Sequence, residues 1–191
     1  MADVLLFHHA LGLSAGIAAF ADTLERSGHS VTTPDLFEGR TFETIEDGVA
    51  YASGIGFNEV IARGERAAED LPADLVYMGF SLGALPAQKL AQTRPGARGA
   101  VLFYACAPAE AFGGPWPAGL PLQVHGAEDD PLFMEEGDVE AARAIAEQEP
   151  AAQLFLYPVS AHYFADPAQP GFDPTAAALA TERTLDLLER L

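Results

Sequence analysis

The sequence predicts an α/β fold, with about six mostly parallel strands in one sheet and helices on both faces. Three observations predict it. Short apolar runs rich in branched and aromatic residues alternate with segments of helical period, which implies right-handed crossovers and a sheet covered on both sides. The chain has 191 residues, 49% of them hydrophobic and 20% charged, enough for one hydrophobic core. One strand-to-helix junction is the pentapeptide Gly79-Phe80-Ser81-Leu82-Gly83. A single domain spanning residues 1–191 is expected.

In chain order, strands are expected at 4–7 (VLLF), 30–33, 75–78 (LVYM), 100–104 (AVLFY), 121–125 and 153–157. Helices are expected at 15–26, 57–70, 82–92, 138–148 and 174–190. In the first helix Ile17, Phe20, Ala21 and Leu24 recur at three- and four-residue steps, with Ser14 placed as N-cap. Asp173-Pro174 supplies a cap and a first-turn proline to the last. Residues 34–44 read as a loop, and the Pro- and Gly-rich stretch 107–121 as one long loop. Functional residues of such a sheet gather at the carboxyl ends of its strands.

Composition excludes several roles. The formal net charge is −18, and Lys89 is the only lysine. Such a field repels phosphate backbones and anionic lipid, so neither nucleic acid nor membrane is an expected partner. Cys106 is the only cysteine, which precludes an internal disulfide or a thiolate metal cluster. The N-terminus lacks a basic region and a long apolar core, so no signal peptide is expected, and the cytoplasm is the expected compartment.

The pentapeptide has a chemical reading. A nucleophilic serine must be lifted off the sheet on a strained turn, and glycine on either side lets strand and helix pass closely. Ser81 would then sit at a helix N-terminus, where free N–H groups favour developing negative charge. The competing reading is a tight turn with an incidental serine. The base should follow the last strand, which selects His162 over His125. The acid should follow the fifth strand, where Asp129 and Asp130 compete. Spacing from Gly126 favours Asp129, while the Asp-Pro pair with Phe133 three residues on favours Asp130. For the oxyanion, one donor is expected from the Leu82 backbone and a second from the loop after the first strand, at Ala10. His8 and His9 would flank the site, and no carboxylate lies beside them at metal-ligand spacing. His9, Phe37, Phe42, Phe112, Trp116, Tyr163 and Phe164 are candidates for the pocket wall.

Assembled, these segments resemble the dienelactone hydrolase family. The resemblance runs through the first-strand loop and the PDLFEG that follows the second strand, then the elbow YMGFSLGALPAQ, the acid loop HGAEDDPLF and the histidine loop YPVSAHYFADP. It implies an α/β-hydrolase fold reduced to a minimal core, and cleavage of a small ester or lactone through an acyl-enzyme with no cofactor. Two departures from the family stand out, the first at Ser81 together with His9 and the second at Asp166. Members that open dienelactone carry a cysteine nucleophile with a glutamate at the position of His9, and an arginine that holds the substrate carboxylate at the position of Asp166. Serine at 81, with His9 and Asp166, argues for a neutral ester or thioester instead. Two other readings stand beside this one: a non-catalytic binding module on the same scaffold, and acyl transfer to a nucleophile other than water. The expected partner is a small substrate, with self-association left open.

Overall fold

The structure, a computed structural model, describes residues 1–191. Six strands, β1 (Asp3–Phe7), β2 (Ser30–Thr32), β3 (Leu75–Phe80), β4 (Gly99–Phe103), β5 (Leu122–Ala127) and β6 (Ala152–Tyr157), form one sheet. Its order is β2-β1-β3-β4-β5-β6, and every pairing is parallel. The helices are α1 (Ala15–Arg26), α2 (Ile45–Ile55), α3 (Phe57–Ala68), α4 (Ala84–Thr93), α5 (Pro131–Glu135), α6 (Asp138–Gln148) and α7 (Pro174–Arg190).

Alternation along the strands splits the core in two. Leu5, Phe7, Tyr77, Leu102 and Val124 point to the face covered by α2, α3, α4 and α6, with Ala52, Val60, Ala87 and Ile145 against them. Val4, Leu6, Met78, Val101 and Phe103 point to the other, where Ile17, Leu24, Ala180 and Leu188 of α1 and α7 pack. The central strands are buried along their whole length, so they read as continuous apolar runs.

Two helices lie outside the predicted set. α2 begins at Thr44, whose hydroxyl accepts the Asp47 N–H at 3.1 Å and donates to the Asp47 carboxylate at 2.9 Å. The short α5 is capped by Asp130, whose side chain accepts the Leu132 N–H at 3.1 Å. The helix after the elbow starts with a 3-10 turn over Ser81–Gly83 before α4. No helix is long and apolar enough to cross a membrane.

Sheet order locates the crevice. β1 lies between β2 and β3, and α1 after β1 and α4 after β3 cover opposite faces. The loops leaving the carboxyl ends of β1 and β3 therefore part there, which is where ligands enter open α/β sheets.

Candidate active site

Ser81 occupies the end of β3 with φ +50°, a left-handed conformation that is rare for a residue bearing a side chain. The neighbouring glycines permit it. A Cβ on Gly79 would strike the Gly83 carbonyl, and one on Gly83 would lie 2.5 Å from the carbonyl oxygens of Phe7 and His8. The turn thus brings β1, β3 and α4 into backbone contact and leaves Ser81 facing outward at a helix N-terminus.

Ser81 Oγ lies 2.9 Å from Nε2 of His162, and Nδ1 of His162 lies 2.6 Å from Oδ2 of Asp130. With a carboxylate at Nδ1, the imidazole proton belongs there, and Nε2 is left to accept from the serine. Asp130 is 2% exposed, and its other oxygen caps α5, so the carboxylate is held from two sides. Asp129 is exposed instead. Its backbone N–H donates to the Val159 carbonyl at 3.1 Å, pinning the acid loop to the start of the histidine loop. Of the two competing acids, only Asp130 reaches His162.

Ala10 lies on the loop after β1, buried, and its N–H donates to no backbone or side-chain acceptor in the protein. Together with the first-turn N–H of Leu82 it borders the space in front of Ser81. The cavity there measures about 440 Å³ and is lined by both residues with Ser81 and His162. Its apolar wall is Ile45 and Val49 of α2, Phe57, Leu85, Tyr104, Ala105 and Leu132, and its charged lining is Glu46, Glu136 and Asp138. No lysine or arginine lines it. Burial pushes the Asp138 carboxyl above the usual range, and its Oδ1 accepts the Cys106 N–H at 2.7 Å.

Most of the expected wall residues lie elsewhere. Phe37 is fully buried, packed edge-on against His8 and Tyr51 at 4.9 and 5.0 Å. Trp116 lines a separate cavity of about 310 Å³ beside α6. Phe42 leans on Tyr51, Phe112 ends a 3-10 turn in the long loop, and Phe164 belongs to the α1/α7 core. His9 and Tyr163 are buried, and neither lines the cavity. The actual wall draws on several elements, α2 giving Ile45, Glu46 and Val49 and α5 giving Leu132, and the signal for α2 in the sequence is the Thr44-x-x-Asp47 capping pattern.

The remaining histidines and the thiol have structural partners. His8 donates from Nδ1 to the His9 carbonyl (2.8 Å) and accepts the Leu36 N–H on Nε2 (3.0 Å), tying β1 to the segment after β2. Burial lowers its pKa to about 4. His125 lies in the core against Tyr157 Oη at 2.7 Å, its pKa pushed down to about 3 by burial. Burial pushes the Cys106 thiol up to about 12, so it stays protonated and unreactive.

Comparison with known proteins bears on the fold and the family. A dienelactone hydrolase-like promiscuous phosphotriesterase from metagenomic libraries superposes with a TM-score of 0.79 at 20% identity, over 100% of this chain and 87% of the other. The dienelactone hydrolase of Anabaena variabilis gives 0.68 at 15% identity, covering 100% and 86%. A cold-adapted esterase from an Arctic intertidal metagenomic library gives 0.65 at 18%, covering 98% and 82%. At such identities the likeness speaks for the α/β-hydrolase fold alone. No curated protein sequence matches significantly. The sequence signature of the dienelactone hydrolase family, by contrast, matches residues 2–191. The chain belongs to the dienelactone hydrolase family of hydrolases.

Proposed function

We propose that the protein is a serine hydrolase that cleaves a small, uncharged carboxylic ester or lactone through an acyl-enzyme on Ser81. The observation that carries this reading is the unbroken hydrogen-bonded chain from Ser81 Oγ through His162 to buried Asp130, opening on a partly apolar cavity. In the first half-reaction Ser81 Oγ bonds to the carbonyl carbon while His162 takes its proton and the N–H groups of Ala10 and Leu82 hold the oxyanion. The C–O bond to the alcohol then breaks, and His162 returns the proton to it. In the second half, water gives a proton to His162 and attacks the acyl carbon. Collapse returns that proton to Ser81 and frees the acid.

The cavity supports the choice of an uncharged substrate. Glu46, Glu136 and Asp138 face it with no cation to offset them, so a carboxylate-bearing ester meets like charge in a partly desolvated site.

The test is intact-mass labelling with a fluorophosphonate, run beside Ser81→Ala, followed by turnover of 4-nitrophenyl butyrate and of the 4-nitrophenyl monoester of succinic acid. The parent gains one adduct and Ser81→Ala none. The neutral ester exceeds the anionic one at least tenfold in kcat/KM, by a margin that narrows with added salt. A folded parent that stays unlabelled would falsify the hydrolase reading and favour a binding module. Acyl products formed with added alcohol in preference to water would instead identify a transferase.

A further inference from the structure

Tyr163 Oη is the only buried side-chain oxygen or nitrogen in the protein without a hydrogen-bond partner. The residue is 4% exposed. A buried hydroxyl without a partner destabilises the fold, and phenylalanine would fill the same ring volume without that cost. The hydroxyl therefore has a reason outside the resting structure.

Its surroundings supply one. The ring stacks on His9 at 4.5 Å and 24°, and tilts against His162 at 4.8 Å. His9 is itself fastened. Its Nδ1 accepts the Leu11 N–H at 3.3 Å, so its proton is on Nε2, which donates to Asp166 at 2.8 Å. The Asp166 carboxylate in turn fills the space that a Cβ on Gly16 would need. The loop after β1 and the histidine loop thus grip the Tyr163 ring between them. Within that grip the hydroxyl faces the Ser81 side chain and the Ala10 N–H without forming a well-aligned bond to either. The space bounded by Ser81 Oγ and the Ala10 N–H is where a tetrahedral oxyanion forms, because its carbon is bonded to the serine oxygen and its charge is held by that amide.

We infer that the Tyr163 hydroxyl is a third donor to the oxyanion, left without a partner in the resting protein because its partner is created by the reaction. Burial pushes this phenol up to about 12, so it keeps its proton at any working pH and donates. The role rests on the hydrolase reading above. It adds a side-chain donor that tightens as charge develops on the substrate oxygen, and it makes Tyr163 a catalytic residue although it does not line the open cavity.

The test is Tyr163→Phe in the full chain, with ester turnover, thermal unfolding, fluorophosphonate labelling and binding of an alkyl trifluoromethyl ketone, which forms a tetrahedral adduct with the serine. The expected result is a fall in kcat of about 10- to 100-fold with KM within twofold, somewhat less than loss of a main-chain donor. Affinity for the ketone falls by a similar factor, and Tm stays level or rises. Parental kcat and ketone affinity in Tyr163→Phe overturn the inference alone, as does a loss of Tm that accounts for the lost activity. A parent that neither labels nor turns over ester removes the hydrolase reading and this inference with it. Labelling of the parent separates the two failures.

Discussion

Adjacent residues can have opposite fates when a turn lies between them. Asp129 and Asp130 are chemically equivalent in sequence, yet one is exposed and the other is 2% exposed and 2.6 Å from His162. The proline at 131 and the start of α5 decide it, because the N-cap position aims the Asp130 side chain back into the molecule. Under the proposed mechanism, Asp130→Asn leaves the fold intact but lowers kcat by about 10³- to 10⁴-fold, since an amide no longer favours the imidazole tautomer that accepts from serine. Asp129→Asn stays within twofold. Steady-state kinetics on the two variants decide the assignment, and an equal loss in both would refute it. Two of the positions that the resemblance marks as departures also prove to be partners. His9 and Asp166 meet in a buried hydrogen bond, so each departure makes physical sense only with the other. Asp166 is thereby committed to holding two loops together and does not enter the cavity.

At the scale of the element, α2 has the largest influence on the site among the features that the hydrophobic pattern leaves unmarked. It supplies Ile45, Glu46 and Val49 to the cavity, and its Gly48 sits against the carbonyl of Ala10. A Cβ at position 48 would collide with that backbone oxygen, whereas one at Gly54, on the same helix, would meet nothing. The pair makes an internal control. Gly54→Ala stabilises by about 0.5–1 kcal/mol, through better helix propensity and a less flexible unfolded chain, a rise in Tm of roughly 1–4 °C. Gly48→Ala lowers Tm and, by displacing Ala10, lowers kcat about tenfold or more, on the principle that small displacements of positioned groups are costly. Thermal melts and kinetics on both variants test this. Equal effects would show that α2 does not brace the loop after β1. The helix escapes the hydrophobic pattern because it buries only Gly48 and Ala52, residues too small to mark an apolar stripe.

For the whole molecule, two buried neutral histidines couple stability to pH. His125 and His8 are held near 3 and 4 by burial, while in the unfolded chain each titrates near 6.5. Between pH 6.5 and about 4 the unfolded state therefore binds more protons than the native one, so this contribution to stability is intact above 6.5 and is lost as pH falls through that window. Each histidine contributes a slope of about 1.4 kcal/mol per pH unit well inside it. Urea unfolding of the parent and of His125→Gln at pH 7, 6 and 5 isolates one of them, since the charge of −18 is common to both. The two stability curves converge as pH falls. Parallel curves would mean that His125 takes up its proton in the folded protein.

Local chemistry determined what could be derived from the sequence alone. Strand and helix periods, the glycines of the elbow and the caps at Ser14 and Asp173 all act within a few residues, and the order of serine, acid and histidine is read along the chain without any contact, so the fold class and the candidates Ser81 and His162 are legible there. The Asp-Pro pair that favours Asp130 is legible too, but not its exclusive access to His162, which depends on how α5 sets the turn. The cavity wall escapes because residues from α2, α5 and the end of β4 meet across many tens of residues, and aromatic character alone does not distinguish Phe57 at the cavity from Phe37 in the core. The setting of the Tyr163 hydroxyl follows the same rule. A tyrosine beside a histidine is visible in the chain, but only the packing of two loops through His9 and Asp166 decides that its oxygen faces Ser81 with no partner of its own.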